Sequence, residues 1–160
     1  MMGGVMVLGL GNPDRGDDGI GAAVVQRLAG WLPQDVASVV AAGDVVSLIG
    51  DWEGRDALIC VDAAGPLGAP GRVHRIDLCV EDLPRDVARA SSHDLGLAEA
   101  IALARALDLA PPHIIVFAVE GACFTTGTGL TPDVAACRDR VAGEVLAEIR
   151  RLRRLVARDG

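Results

Sequence analysis

The chain of 160 residues holds two Phe, two Trp and no Tyr, so aromatics make up 2% of a sequence that is 51% hydrophobic. Its core must therefore be aliphatic, built from Val, Leu, Ile and many Ala. Basic charge is also short: 15 Lys and Arg stand against 22 Asp and Glu, for a net charge of −7. That balance argues against nucleic acid or an anionic membrane as a partner. No stretch is apolar for long enough to span a bilayer. The opening MMGG has no basic region before the first apolar run, unlike a signal peptide, and a cytoplasmic protein is expected. Cys60, Cys79, Cys123 and Cys137 form no C-x-x-C, which removes zinc knuckles and thioredoxin-like motifs. Cys60 lies in an apolar run and reads as an inert core thiol. Cys123, in a Gly-rich loop, is the one candidate for a reactive thiol. There is no G-x-S-x-G, and no cysteine is expected to have a paired His nearby, so no covalent nucleophile is expected. Internal repeats, low-complexity tracts and linkers are missing too, so residues 1–160 are expected to form a single domain.

What is present is organised around residues 5–21, VMVLGLGNPDRGDDGIG. Val5, Met6, Val7, Leu8 and Leu10 form the apolar run of a strand buried on both faces. Gly11, Asn12 and Pro13 stop it with three turn residues in a row. A helical pattern then opens at Ile20, Ala23, Val24, Arg27, Leu28 and Trp31. Asp17 and Asp18 thus fall in the loop at the carboxyl end of the first strand, where open α/β sheets bind ligands. Either could cap the helix that follows. The dinucleotide fingerprint G-x-G-x-x-G fails, because Asp14 stands where the third glycine belongs and would repel a pyrophosphate. A metal or acid–base site remains, if partners exist elsewhere.

Strands are expected at residues 36–42, 56–62, 72–80 and 113–119, with helices at 45–52 and 94–107. Residues 63–71, 81–92 and 120–130 read as connections. Thr131-Pro132 opens a last helix with a capping hydroxyl and a proline at its first position. Val134, Val141, Val145, Ile149 and Leu152 form its apolar stripe, and RRLRRLVAR suits its carboxyl end. Residues 72–80 alternate, with His74, Ile76, Leu78 and Val80 on one face, as a half-exposed edge strand would. In the helix at 94–107, Leu97, Ile101 and Ala104 face the core, with Ser91 or Ser92 as cap. Strands alternating with helices imply an α/β fold: a mostly parallel twisted sheet with helices on both faces.

Asp18 follows the first strand, Asp62 ends the third, and His93 stands just before a helix. All three can reach one rim of the sheet. Two carboxylates and one imidazole leave open positions on a divalent metal. A helix amino terminus beside His93 disfavours its protonation, which suits a ligand. Each also has a plainer reading, as a cap or a solvated side chain.

These residues fall in four motifs: GLGNPDRGDDGIG, LICVDAAG, SSHDLGLAEAI and GTGLTPDV. In this order, and over nearly the whole chain, they resemble the NiFe-hydrogenase maturation endopeptidases. The resemblance implies a three-layer αβα fold with an antiparallel edge strand. It also implies a protease that removes the C-terminal extension of a hydrogenase large-subunit precursor after nickel insertion. Asp18, Asp62 and His93 would be both the metal ligands and the catalytic residues. Nickel would be carried by the substrate, though other divalent metals fit the same donors, and the protein would act as a monomer. Two departures appear: Asp18 stands where several members have Glu, and Ala42-Gly43-Asp44 reduces a double glycine to Gly43. Peptidyl-tRNA hydrolases share the opening GLGNP but need a basic groove, which this acidic chain lacks. Two alternatives stay open: a nickel-checkpoint module that binds without cutting, and a metal-dependent peptidase acting on another precursor.

Overall fold

A computed structural model describes residues 3–43, 45–84 and 96–159. Five strands form one sheet: β1 (Val5–Leu10), β2 (Ala37–Ala41), β3 (Ala57–Ala64), β4 (Val73–Asp77) and β5 (His113–Glu120). Their spatial order is β2-β1-β3-β5-β4. The first four in that order run parallel, and β4 pairs antiparallel with β5 at the edge. The mostly parallel sheet with one antiparallel edge strand is the expected fold class.

The helices are α1 (Ile20–Leu28), α2 (Ile49–Trp52), α3 (Leu97–Ala106) and α4 (Pro132–Asp159). Short 3-10 turns at Gly16–Gly19 and Val46–Leu48 lead into α1 and α2. Period-two alternation explains the three layers. Val5 and Val7 of β1, with Ile59, Val61, Ile115 and Phe117, pack under α1 and α4. Met6, Leu8 and Leu10, with Leu58, Cys60, Ile114 and Val116, pack under α2 and α3. Because both faces are covered, β1 and β3 are buried along their whole length, so their sequences are unbroken apolar runs. The stripe Val134, Val141, Val145, Ile149 and Leu152 of α4 is fully buried. Among the described residues no helix is long and apolar enough to cross a membrane.

Several boundaries differ from the expected ones. β3 runs on past Asp62, because Ala63 and Ala64 pair with Val119 and Glu120 of β5. β4 stops at Asp77, whose Oδ1 accepts the Cys79 amide at 2.9 Å and turns the chain. Val80 is therefore 77% exposed rather than part of a core face. Trp31 lies beyond the end of α1, 63% exposed, with the Arg27 guanidinium 5.5 Å over its ring. α3 is described from Leu97, with Gly96 as its cap residue and no side-chain cap bond. The proposed caps Ser91 and Ser92, and His93, lie outside the described residues.

Candidate active site

The strand order reverses between β1 and β3: the chain leaves β1 for β2 on one side, and β3 for β4 on the other. Such a switch point opens a crevice at the carboxyl ends of the two strands. Gly11 follows β1 with φ +112, and a Cβ there would strike the Asp18 backbone oxygen at 2.1 Å. Only glycine lets the returning loop approach so closely. The Asn12 side chain then accepts the Asp14 amide (2.9 Å), and the Arg15 amide bonds the Asn12 carbonyl (3.1 Å). This tight turn delivers Asp17 and Asp18 in the 3-10 turn before α1. Neither caps α1, whose cap residue Gly19 has no side-chain bond.

Neighbours in a 3-10 turn point about 120° apart, so the two aspartates face different surroundings. Asp17 turns toward the loop after β5. Its carboxylate accepts the amides of Ala122 (2.7 Å), Cys123 (3.1 Å) and Thr131 (2.7 Å), together with the Thr131 hydroxyl. Burial pushes the Asp17 carboxyl up, but these donors outweigh it and hold the group below the usual carboxylate range. With both oxygens engaged, Asp17 is a brace and not a general base. The Thr131 hydroxyl, expected to cap α4, is spent on Asp17.

Asp18 turns inward and is fully buried. Its Oδ2 accepts the Asn12 amide at 2.8 Å, while Oδ1 has no hydrogen-bond partner among the described residues. The Arg15 guanidinium lies 3.7 Å from Oδ2. Asp62 sits within β3, opposite Ala118 of β5, and is 8% exposed. Its Oδ1 accepts the Ala63 amide at 2.8 Å. Burial raises the Asp62 pKa; the Ala63 amide opposes that, the Asp18 charge adds to it, and the group ends at about 7. The structure thus brings Asp18 and Asp62 into one electrostatic field. His93 lies outside the described residues, and among those described no three His, Cys, Asp or Glu side chains are grouped to hold a metal.

The donors present fit a divalent cation. An orphaned buried carboxylate oxygen and a neighbouring carboxyl driven toward neutrality are both relieved by positive charge between them.

A thiol–imidazole pair does exist, against expectation: Cys79 Sγ is 4.0 Å from His113 Nδ1. His113 begins β5, level with Ala57 at the start of β3, so this pair lies at the other end of the strands from Asp62. The Cys79 thiol donates to the Pro112 carbonyl at 3.1 Å. Cys60 is buried in the core and its thiol is pushed far up, first by burial and then by Asp62. In the loop after β5, Thr125 beside Cys123 lowers that thiol.

Sequence reasoning missed the Glu120 cluster. Glu120 is buried at the end of β5, where it accepts the Ala69 amide (3.2 Å) and bonds His74 Nε2 at 2.7 Å. Nothing local marks it, since its partners come from another strand and loop.

Comparison with known proteins places the chain in a family. The model of the family described as hydrogenase maturation protease matches residues 23–148. The Hydrogenase 2 maturation protease of Escherichia coli is 31% identical over 150 residues, which are 91% of this chain and 90% of that protein. The structure of the hydrogenase-maturating endopeptidase HybD from E. coli superposes with a TM-score of 0.77 at 27% identity, covering 92% of this chain and 93% of that one. A solution structure of an endopeptidase from Escherichia coli gives 0.79 at 28% identity, with the same coverage. The chain belongs to the hydrogenase maturation protease family, and is a peptide-bond hydrolase of the endopeptidase type.

Proposed function

We propose that this endopeptidase removes the C-terminal extension of a NiFe-hydrogenase large-subunit precursor after nickel has been inserted. It does so as a cytoplasmic monomer, with Asp18, Asp62 and His93 engaging the nickel that the precursor carries. The observation that carries this reading is the pairing of the orphaned Asp18 Oδ1 with an Asp62 carboxyl raised to about 7. Both features suit a site that takes up a cation. The donors are two carboxylates and an imidazole, with no thiolate, so resting affinity for nickel is modest. The precursor's metal would complete the set and bring the scissile bond to the crevice. There it would supply Lewis-acid chemistry, polarising the carbonyl or lowering the pKa of the attacking water. Of the two carboxylates adjacent in sequence, only Asp18 has an open oxygen to take part, because Asp17 is fully engaged.

Masses of the precursor before and after incubation test the reading. Wild-type protein should trim the nickel-loaded precursor to a single shorter product. Asp62→Asn and His93→Ala should each abolish trimming while circular dichroism and the melting temperature stay near wild type. Asp62→Asn replaces a carboxyl already driven toward its neutral form, so it removes little stability. Trimming by either variant at the normal rate would remove that residue from the site.

A further inference from the structure

Arg15 is an unassigned group beside these carboxylates. Its backbone is pinned on both sides: its amide bonds the Asn12 carbonyl (3.1 Å), its carbonyl accepts the Asp18 amide (3.2 Å), and the next amide, Gly16, bonds Thr128 (2.9 Å). Gly16 has φ +58, and a Cβ there would meet the Cys123 carbonyl at 2.3 Å, so the loop has one available path. The side chain is pinned as well. Its guanidinium carbon lies 5.8 Å from the centre of the Phe124 ring, within the range of a stacked cation. One nitrogen, Nη1, is buried 3.7 Å from Asp18 Oδ2, too far for a hydrogen bond, and has no acceptor among the described residues. The side chain as a whole is 32% exposed.

A guanidinium held rigid on an aromatic face, with a buried N–H lacking an acceptor, costs free energy in the resting protein. An orphaned acceptor, Asp18 Oδ1, lies on its neighbour. Two unmatched groups of opposite character side by side mark a place where a ligand supplies both partners. The cation-seeking carboxylates account for one half of that demand. The donor half calls for an oxygen.

From this we infer that Arg15 is a further catalytic residue, donating to the scissile carbonyl oxygen of the peptide as that oxygen becomes an oxyanion. The inference rests on the protease reading above. In the reaction the oxygen of water adds to the carbonyl carbon, and the C=O π pair moves onto the carbonyl oxygen. The water's proton passes to a carboxylate of the site. On collapse that pair returns, the C–N bond breaks, and the proton leaves with the amine nitrogen. Between these steps a full negative charge sits on the carbonyl oxygen, in a site that already holds the Asp18 and Asp62 carboxyls. A fixed donor with positive charge is what such an intermediate needs, and prior fixation avoids reorganisation during the reaction. The guanidinium, 5.8 Å from the Phe124 ring centre, offers a planar fork of donors that a lysine's point charge does not reproduce.

Steady-state cleavage of nickel-loaded precursor by wild type, Arg15→Ala and Arg15→Lys tests this. Arg15→Ala is expected to lose about 100-fold in kcat, as for removal of one oxyanion donor, with KM little changed and partial restoration by added guanidinium. Arg15→Lys keeps a cation beside Asp18 but is expected to lose roughly tenfold in kcat, because the fork is gone. A counter-ion serving only to steady Asp18 would leave Arg15→Lys at the wild-type rate, and that result overturns the inference even if Arg15→Ala does not fold. An effect confined to KM overturns it too. Failure of the wild-type protein to cut the precursor ends the protease reading and this inference together. Normal cutting by wild type and Arg15→Lys ends this inference alone.

Discussion

Asp17 accepts hydrogen bonds from residues 105, 106 and 114 positions away in sequence, and so fastens the loop before α1 to the loop before α4. Replacing it with Asn keeps the shape but turns an amide NH2 toward donors. A loss of about 3 kcal/mol in unfolding free energy is expected, typical of a broken buried charged network, and denaturant unfolding measures it. The same bonds set the pH dependence. The folded Asp17 pKa lies below its unfolded value, so its contribution is complete above about pH 4 and is lost as pH falls through the folded value. Wild-type stability should therefore drop on acidification below about pH 4, and Asp17→Asn should show a flatter profile there. Asp18 and Asp62 were legible as candidates because each follows or sits in an apolar strand run. The division of labour between Asp17 and Asp18 was not, because adjacent identical residues differ only in which distant atoms their turn lets them meet.

The β1–α1 junction depends on glycine. A Cβ on Gly21 would lie 2.5 Å from the Leu10 and Val61 carbonyl oxygens, all backbone, so neither strand can yield. Gly21→Ala should lift the first turn of α1 from β1 and β3, costing about 3 kcal/mol and lowering the melting temperature by about 10 °C. Gly143→Ala, in the middle of α4 with nothing within 4 Å of its Cβ, should instead raise stability by roughly 0.5–1 kcal/mol. Thermal scans of the pair separate close packing from helix propensity. At this scale the buried strands β1, β3 and β5 were readable, since burial on both faces leaves a continuous apolar signature. Their ends were not. The small residues Ala63 and Ala64 resemble a loop until Val119 and Glu120 pair with them, and the alternation through Val80 outlasts the pairing that stops at Asp77.

In the whole molecule, the order β2-β1-β3-β5-β4 sets β1 and β3 side by side and gathers Asp18, Asp62 and Arg15 at one crevice. Sequence pattern implied a mostly parallel sheet but not this order, which depends on which helices cover which face. We propose that this is a cation-dependent site, left incomplete until the substrate supplies its metal. Its most direct test is the mass of nickel-free and nickel-loaded precursor after incubation with the protein, with metal analysis of every component. The isolated protein should be largely metal-free, the loaded precursor should lose its C-terminal extension, and the nickel-free precursor should stay intact even at high enzyme concentration. Efficient cutting of rigorously metal-free precursor would contradict the account.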